Sequence, residues 1–197
     1  MRSNGLQMSG TFTFNTFAYL LNGASSLAKS AKEHPEGSNY CRVAAVAFSA
    51  FAVEAYLNHV GEKLLPFWSV VERLSWDSKL ELLAKTLGLE PDFGRSPFQS
   101  LKDLFNFRNR LAHGRTASED RSYFFKVESD DFSTMDPDWL KKVWSDEAVA
   151  KVLKDTRKVI ETIHAAAGFS AESLAQIATG EFAEADTIVP EKSSSAS

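Results

Sequence analysis

The chain has 197 residues, 44% of them hydrophobic and 24% charged, the make-up of one ordinary globular domain large enough for a sizeable core. Its formal net charge of -4 argues against indiscriminate nucleic-acid binding, and its single cysteine, Cys41, excludes an intramolecular disulfide and leaves no basis for a cysteine zinc site, in keeping with a reducing, cytoplasmic setting. No run of about 18 apolar residues suggests a membrane span, and residues 12–27 are interrupted by Asn15, Thr16, Asn22 and Gly23, unlike the apolar core of a secretory signal.

Phe14, Phe17, Leu21, Ala24, Leu27, Ala28 and Ala31 recur at three and four, which predicts a first helix over residues 13–32, ended by His34-Pro35-Glu36-Gly37. Ser38 or Asn39 is expected to cap a second helix reaching Leu65, where Pro66 stops it. From Val43 to Leu57 this helix is apolar nearly all round, as a helix at the centre of a bundle is. A third helical unit is predicted over residues 69–87, with Val70, Val71, Leu74 and Trp76 before a turn, Leu80, Leu83 and Leu87 after it, and Gly88 as its stop. Residues 90–97 read as a loop. A fourth helix then runs from Pro97, a residue suited to the first helical position, to His113, with Gly114 just beyond.

Residues 116–137 lack helical periodicity, with a short strand expected at 122–127 inside an acidic connection. Asp136 or Asp138, beside Pro137, opens a long final helix to Ala167 whose broad apolar face carries Leu140, Val143, Trp144, Val149, Val152, Val159, Ile160 and Ile163. Ser170 is suited to cap a short helix ending at Gly180. The expected fold class is all-α: an antiparallel bundle of four to five main helices with an irregular insert before the last long one. Residues 1–180 form the domain and 181–197 a disordered tail, because the serine-rich end after Pro190 has too few apolar residues to offset the entropy of ordering it.

The residues that carry chemistry cluster in Phe107-Arg108-Asn109-Arg110-Leu111-Ala112-His113-Gly114. Between Arg95 and Arg115 stand Arg95, Lys102, Arg108, Arg110 and Arg115 against Asp103 alone, and the following segment reverses the sign. At about 100° per residue, Leu101, Phe105, Arg108 and Ala112 share one stripe of the helix, so Arg108 points to the bundle interior or to an interface. Asn109 and His113, four apart, lie on the adjacent polar face with Arg110 beside them. A buried guanidinium requires an acceptor. Glu54 is the one acidic residue between Tyr40 and Val60, with Asn58 four residues on, so a polar seam is expected in which Glu54 and Asn58 meet Arg108 or Asn109.

An imidazole that titrates near neutrality suits proton transfer, and a helix C-terminus favours its cationic form. A planar guanidinium can hold a phosphate through two donors and stabilise charge growing on its oxygens. The same residues also make sense as a structural staple, an Arg-Glu pair with a histidine at a helix end. Elsewhere, Cys41 opens an apolar helix and reads as structural, His34, His59 and His164 lack ligand spacing, and Trp68, Trp76, Trp139 and Trp144 sit in or beside apolar faces. No glycine-rich phosphate loop occurs, and neither a metal nor a cofactor is expected.

An arginine, a polar residue, three more residues and a histidine, as in Arg108-Asn109-x3-His113 near a helix end, resembles the motif of the HEPN domains (higher eukaryotes and prokaryotes nucleotide-binding). The resemblance covers most of the bundle. It implies a metal-independent endoribonuclease, a toxin or defence effector, in which the ribose 2′-hydroxyl attacks. His113 would serve as acid/base and Arg108 as phosphate clamp, with Asn109, Arg110, Glu54 and Asn58 supporting. It further implies a homodimer with a composite site, RNA as substrate, a neutralising partner protein and no membrane. The tyrosine-containing adenylylation motif of some such toxins is missing. The alternative is a non-catalytic helical module for dimerisation or for binding a partner or RNA, since many relatives keep the bundle without activity.

Overall fold

In the computed structural model the first apolar repeat folds as α1 (Thr16–Glu33), which buries Phe17, Ala18, Ala24 and Ala31 and packs along the central helix α2 (Ser38–Leu64). The structure describes residues 5–7, 10–116, 118, 136–182 and 186–188. Every long helix touches α2: besides α1, these are α4 (Trp76–Leu87), α5 (Gln99–His113) and α7 (Asp146–Ala166). This is why α2 is apolar nearly all round, burying Val46, Val53, Tyr56, Leu57 and Val60 on different sides. By length and composition alone it could cross a membrane, and half of its most apolar stretch is buried within the bundle. Two single-turn helices, α3 (Trp68–Val71) and α6 (Asp138–Lys141), complete the bundle.

Close approach of Trp68 to α2 depends on Gly61, where an added Cβ would lie 2.2 Å from the indole ring. On the next layer Trp76 stacks on Phe105 with ring centroids 4.3 Å apart, which ties α4 to α5. The all-α bundle with five main helices is thus as the sequence predicts. Two short antiparallel ribbons are added to it. One pairs β2 (Gly10–Phe14) with β3 (Ala178–Phe182), and the other pairs β1 (Gly5–Gln7) with β4 (Asp186–Ile188). Asn15 fastens the first ribbon to the bundle, its backbone N–H donating to the Ile177 carbonyl and its side-chain amide to that of Gln176, both at 2.8 Å.

Several expected boundaries are corrected. Thr13 belongs to β2, so the first helix starts at Thr16. Gly37, in the left-handed region at φ 72°, holds the N-cap position before α2, and Ser38 is already helical. Pro97 lies ahead of α5, which begins at Gln99. The expected long final helix is two pieces, because Ser145 starts a new helix by accepting a hydrogen bond from the Ala148 N–H at 3.1 Å. The short helix expected from Ser170 to Gly180 is only a 3-10 turn at Ala171–Leu174, after which the chain extends into β3. Gly88 does stop α4 in the left-handed conformation, at φ 66°. The strand expected at 122–127 and most of the acidic connection lie outside the described residues. Of the tail expected over 181–197, residues 181–182 and 186–188 are strand, and the rest likewise lies outside them.

Candidate functional site

Packing of α5 against α2 brings the expected seam together. Arg108 reaches from α5 toward α2 and its Nη2 donates to Glu54 Oε2 at 2.8 Å. Its guanidinium carbon lies 5.3 Å from the ring centre of Phe105 on its own helix and 5.9 Å from that of Phe51 on α2. The cation is therefore flanked by two aromatic faces as well as held by the carboxylate. The pair is not sealed: the Arg108 side chain is 19% exposed and that of Glu54 30%. Asn58, one turn along α2, adds a buried Oδ1 without a hydrogen-bond partner, and Arg108 Nε is buried without one too.

A third charge completes the seam. The Lys79 ammonium on α4 sits 3.8 Å from Glu54 Oε1, and its side chain is only 3% exposed. One carboxylate thus faces two cations, leaving a surplus positive charge next to a guanidinium edge that solvent can reach. Sequence reasoning passed over Lys79. The signal lay in its spacing, since it stands three residues after Trp76 and four before Leu83, on the apolar face of α4.

The remaining motif residues face outward. Asn109, Arg110 and His113 are exposed. Arg110 lies over Trp139 at 6.0 Å, and Trp139 meets Phe107 edge-on at 5.6 Å, so the basic face of α5 is braced by α6. His113 is the last residue of α5, and Gly114 beyond it is not left-handed, with φ -57°. His113 lies five positions after Arg108, roughly 140° around the axis and about 7.5 Å along it. Among the described residues no hydrogen bond joins the two, so one chain does not bring them onto a common face.

No family model, curated protein or solved structure matches this chain. Of the seam expected from the sequence, Glu54 and Arg108 pair, whereas Asn58 makes no hydrogen bond to either through its buried Oδ1; Asn109, Arg110 and His113 form the exposed end of α5. Among the described residues no group of three or more histidine, cysteine, aspartate or glutamate side chains is placed to hold a metal ion.

Two polar clusters outside the motif escaped the sequence reading. The Tyr56 hydroxyl meets His164 Nδ1 at 2.8 Å in the core, and His164 Nε2 lies 2.8 Å from the Ser170 carbonyl. Since a carbonyl only accepts, Nε2 carries the proton and Nδ1 accepts from the tyrosine. Burial raises the Tyr56 pKa. Beside it His59 packs on Phe17 and Phe169, and burial, helped by Lys63 and His164, lowers its pKa to about 4. The second cluster surrounds Asp155 on α7, which takes hydrogen bonds from Ser96 at 2.8 Å, from Lys151 at 2.7 Å and from Ser100. Burial opposes its ionisation, but these donors outweigh it and hold the carboxyl below the usual range. This cluster ties the loop before α5 to α7.

Proposed function

We propose that the chain is a metal-independent endoribonuclease of HEPN type, with Arg108 as phosphate clamp and His113 as general acid/base. The observation that carries the reading is the two-to-one seam: Lys79 already offsets Glu54, so Arg108 supplies an uncompensated, partly exposed guanidinium suited to a phosphodiester. Glu54 would orient the guanidinium by one edge and leave other N–H groups for the ligand. His113 stands in solvent at the end of the same helix, free to exchange a proton with a ribose hydroxyl or a leaving oxygen.

Because the two groups diverge on one helix, the composite site would draw on a second copy of the chain. Phe51, 41% exposed beneath Arg108, and Leu111, 39% exposed one turn after it, supply apolar surface for such a contact. Asn109 and Arg110 would bind the RNA backbone beside them. A toxin or defence role, with a neutralising partner, extends this reading.

The test is cleavage of single-stranded RNA in excess EDTA. Wild type is expected to leave 2′,3′-cyclic phosphate ends. His113→Ala and Arg108→Ala should each lose cleavage while melting as wild type does. Undiminished cleavage by His113→Ala would remove the mechanism. The other reading, a helical module without catalysis, is favoured if neither protein cuts RNA and Arg108→Ala is strongly destabilised.

A further inference from the structure

A hollow of about 420 Å³, away from the seam, lies between α1, the C-terminal half of α7 and the 3-10 turn, and none of its lining residues belongs to α4 or α5. Its volume falls in the range of about 300–1,000 Å³ typical of small-molecule pockets. Leu21 from α1, Ile160 from α7, and Phe169 and Leu174 from the segment beyond make its walls apolar. His164 also borders it, but both ring nitrogens are spent, one on the Tyr56 hydroxyl and the other on the Ser170 carbonyl, so the imidazole offers only its carbon framework. Polar recognition is left to Asn22, Arg157 and Glu161.

Arg157 and Glu161 stand four residues apart, one turn of α7, with side chains on the same face. They do not pair with each other. Arg157 has no hydrogen-bond or ion-pair partner among the described residues, and Glu161 has only Lys158 at 3.9 Å, beyond hydrogen-bond reach. A free cation and a lightly engaged anion thus lie side by side above an apolar floor. A simple carboxylate would be repelled by Glu161, and a simple amine by Arg157. A ligand carrying both charges close together satisfies both.

We propose that this hollow binds a free α-amino acid with an apolar side chain. The carboxylate pairs with Arg157, the ammonium with Glu161, and the side chain rests on Leu21, Ile160, Phe169 and Leu174. Asn22, on α1, contributes its amide to whichever charged end it meets.

The test is calorimetric titration of the full chain with L-phenylalanine, with N-acetyl-L-phenylalanine, which lacks the ammonium, and with L-phenylalaninamide, which lacks the carboxylate. Expected is saturable one-to-one binding of phenylalanine in the millimolar range or tighter, weakened about tenfold or more by either block. Arg157→Gln should weaken phenylalanine to the level of the amide, and Glu161→Gln to that of the acetylated form. Leu174→Trp, which fills the hollow, should abolish binding while the protein melts cooperatively. The proposal is overturned if phenylalanine gives no saturable heat, if the blocked forms bind as tightly, or if Arg157→Gln binds as wild type does.

Discussion

Glu54→Gln should be the most damaging single change in the seam, more so than Arg108→Gln, although the two side chains form one ion pair. The Lys79 ammonium is 3% exposed and lies 3.8 Å from Glu54. At an effective dielectric constant of about 20, that separation corresponds to roughly 4 kcal/mol of attraction. Glu54 is 30% exposed, so solvent screening reduces the figure to about 2–3 kcal/mol. Removing its charge leaves two cations facing each other, one of them buried with no other carboxylate within 4 Å among the described residues. Arg108→Gln instead leaves Glu54 paired with Lys79 and takes away the surplus charge, so it should cost under about 1 kcal/mol. Urea denaturation followed by circular dichroism measures both. Adding Lys79→Met to Glu54→Gln should recover about 1–2 kcal/mol, because it removes the stranded ammonium. Arg108→Gln proving as costly as Glu54→Gln, or no recovery in the double variant, would refute this account of the seam, and with it the idea that Arg108 is held in place for a ligand rather than for the fold.

Gly61→Ala should destabilise the protein by about 1–3 kcal/mol although alanine is the better helix former, because the new methyl would lie 2.2 Å from the buried Trp68 ring. Thermal melting and a red-shifted tryptophan emission would show it, and a variant as stable as wild type would contradict the packing. For pH, the His59 pKa is about 4 in the fold against 6.5 when unperturbed, so between these values the unfolded chain binds the extra proton. Its contribution is therefore complete above about pH 6.5 and is lost as pH falls toward 4, up to about 2 kcal/mol after allowing for partial exposure. Urea midpoints at pH 7.5 and 5.0 should differ less in His59→Phe than in wild type; equal differences would exclude His59 as the source.

How much of this was legible depended on how local the signal was. The end of α2 before Pro66 and the stop at Gly88 follow from residues beside them, and Glu54 was identifiable because an ionised group on an otherwise apolar helix has to meet a partner. Lys79 was hidden for the opposite reason: in a helix of mixed charge a lysine on the apolar face looks like solvated surface, since its stem is itself apolar. The break before α7 was visible in Ser145-Asp146-Glu147, a capping serine with two acids in the first turn, but the apolar pattern running across it concealed it. The Tyr56-His164 pair joins residues 108 apart in the chain. Tyr56 lies within the apolar stretch of α2 and His164 stood out only as a histidine without ligand spacing, and only the packing of α2 on α7 reveals that they satisfy one another. The pairing of β2 with β3 was still further from reach, since Gly10–Phe14 is too short to name a partner so distant in sequence.

The ribbons have a mechanical consequence. Gly5 faces Ile188, Gly10 faces Phe182 and Phe14 faces Ala178, so successive rungs lead from the outer ends down to the start of α1. A pull applied between Gly5 and Ile188 would load those rungs one after another, as in opening a zip, instead of shearing them together. Tension would be spent on peeling these ribbons before it reached the helices, so the seam on α5 would be loaded last.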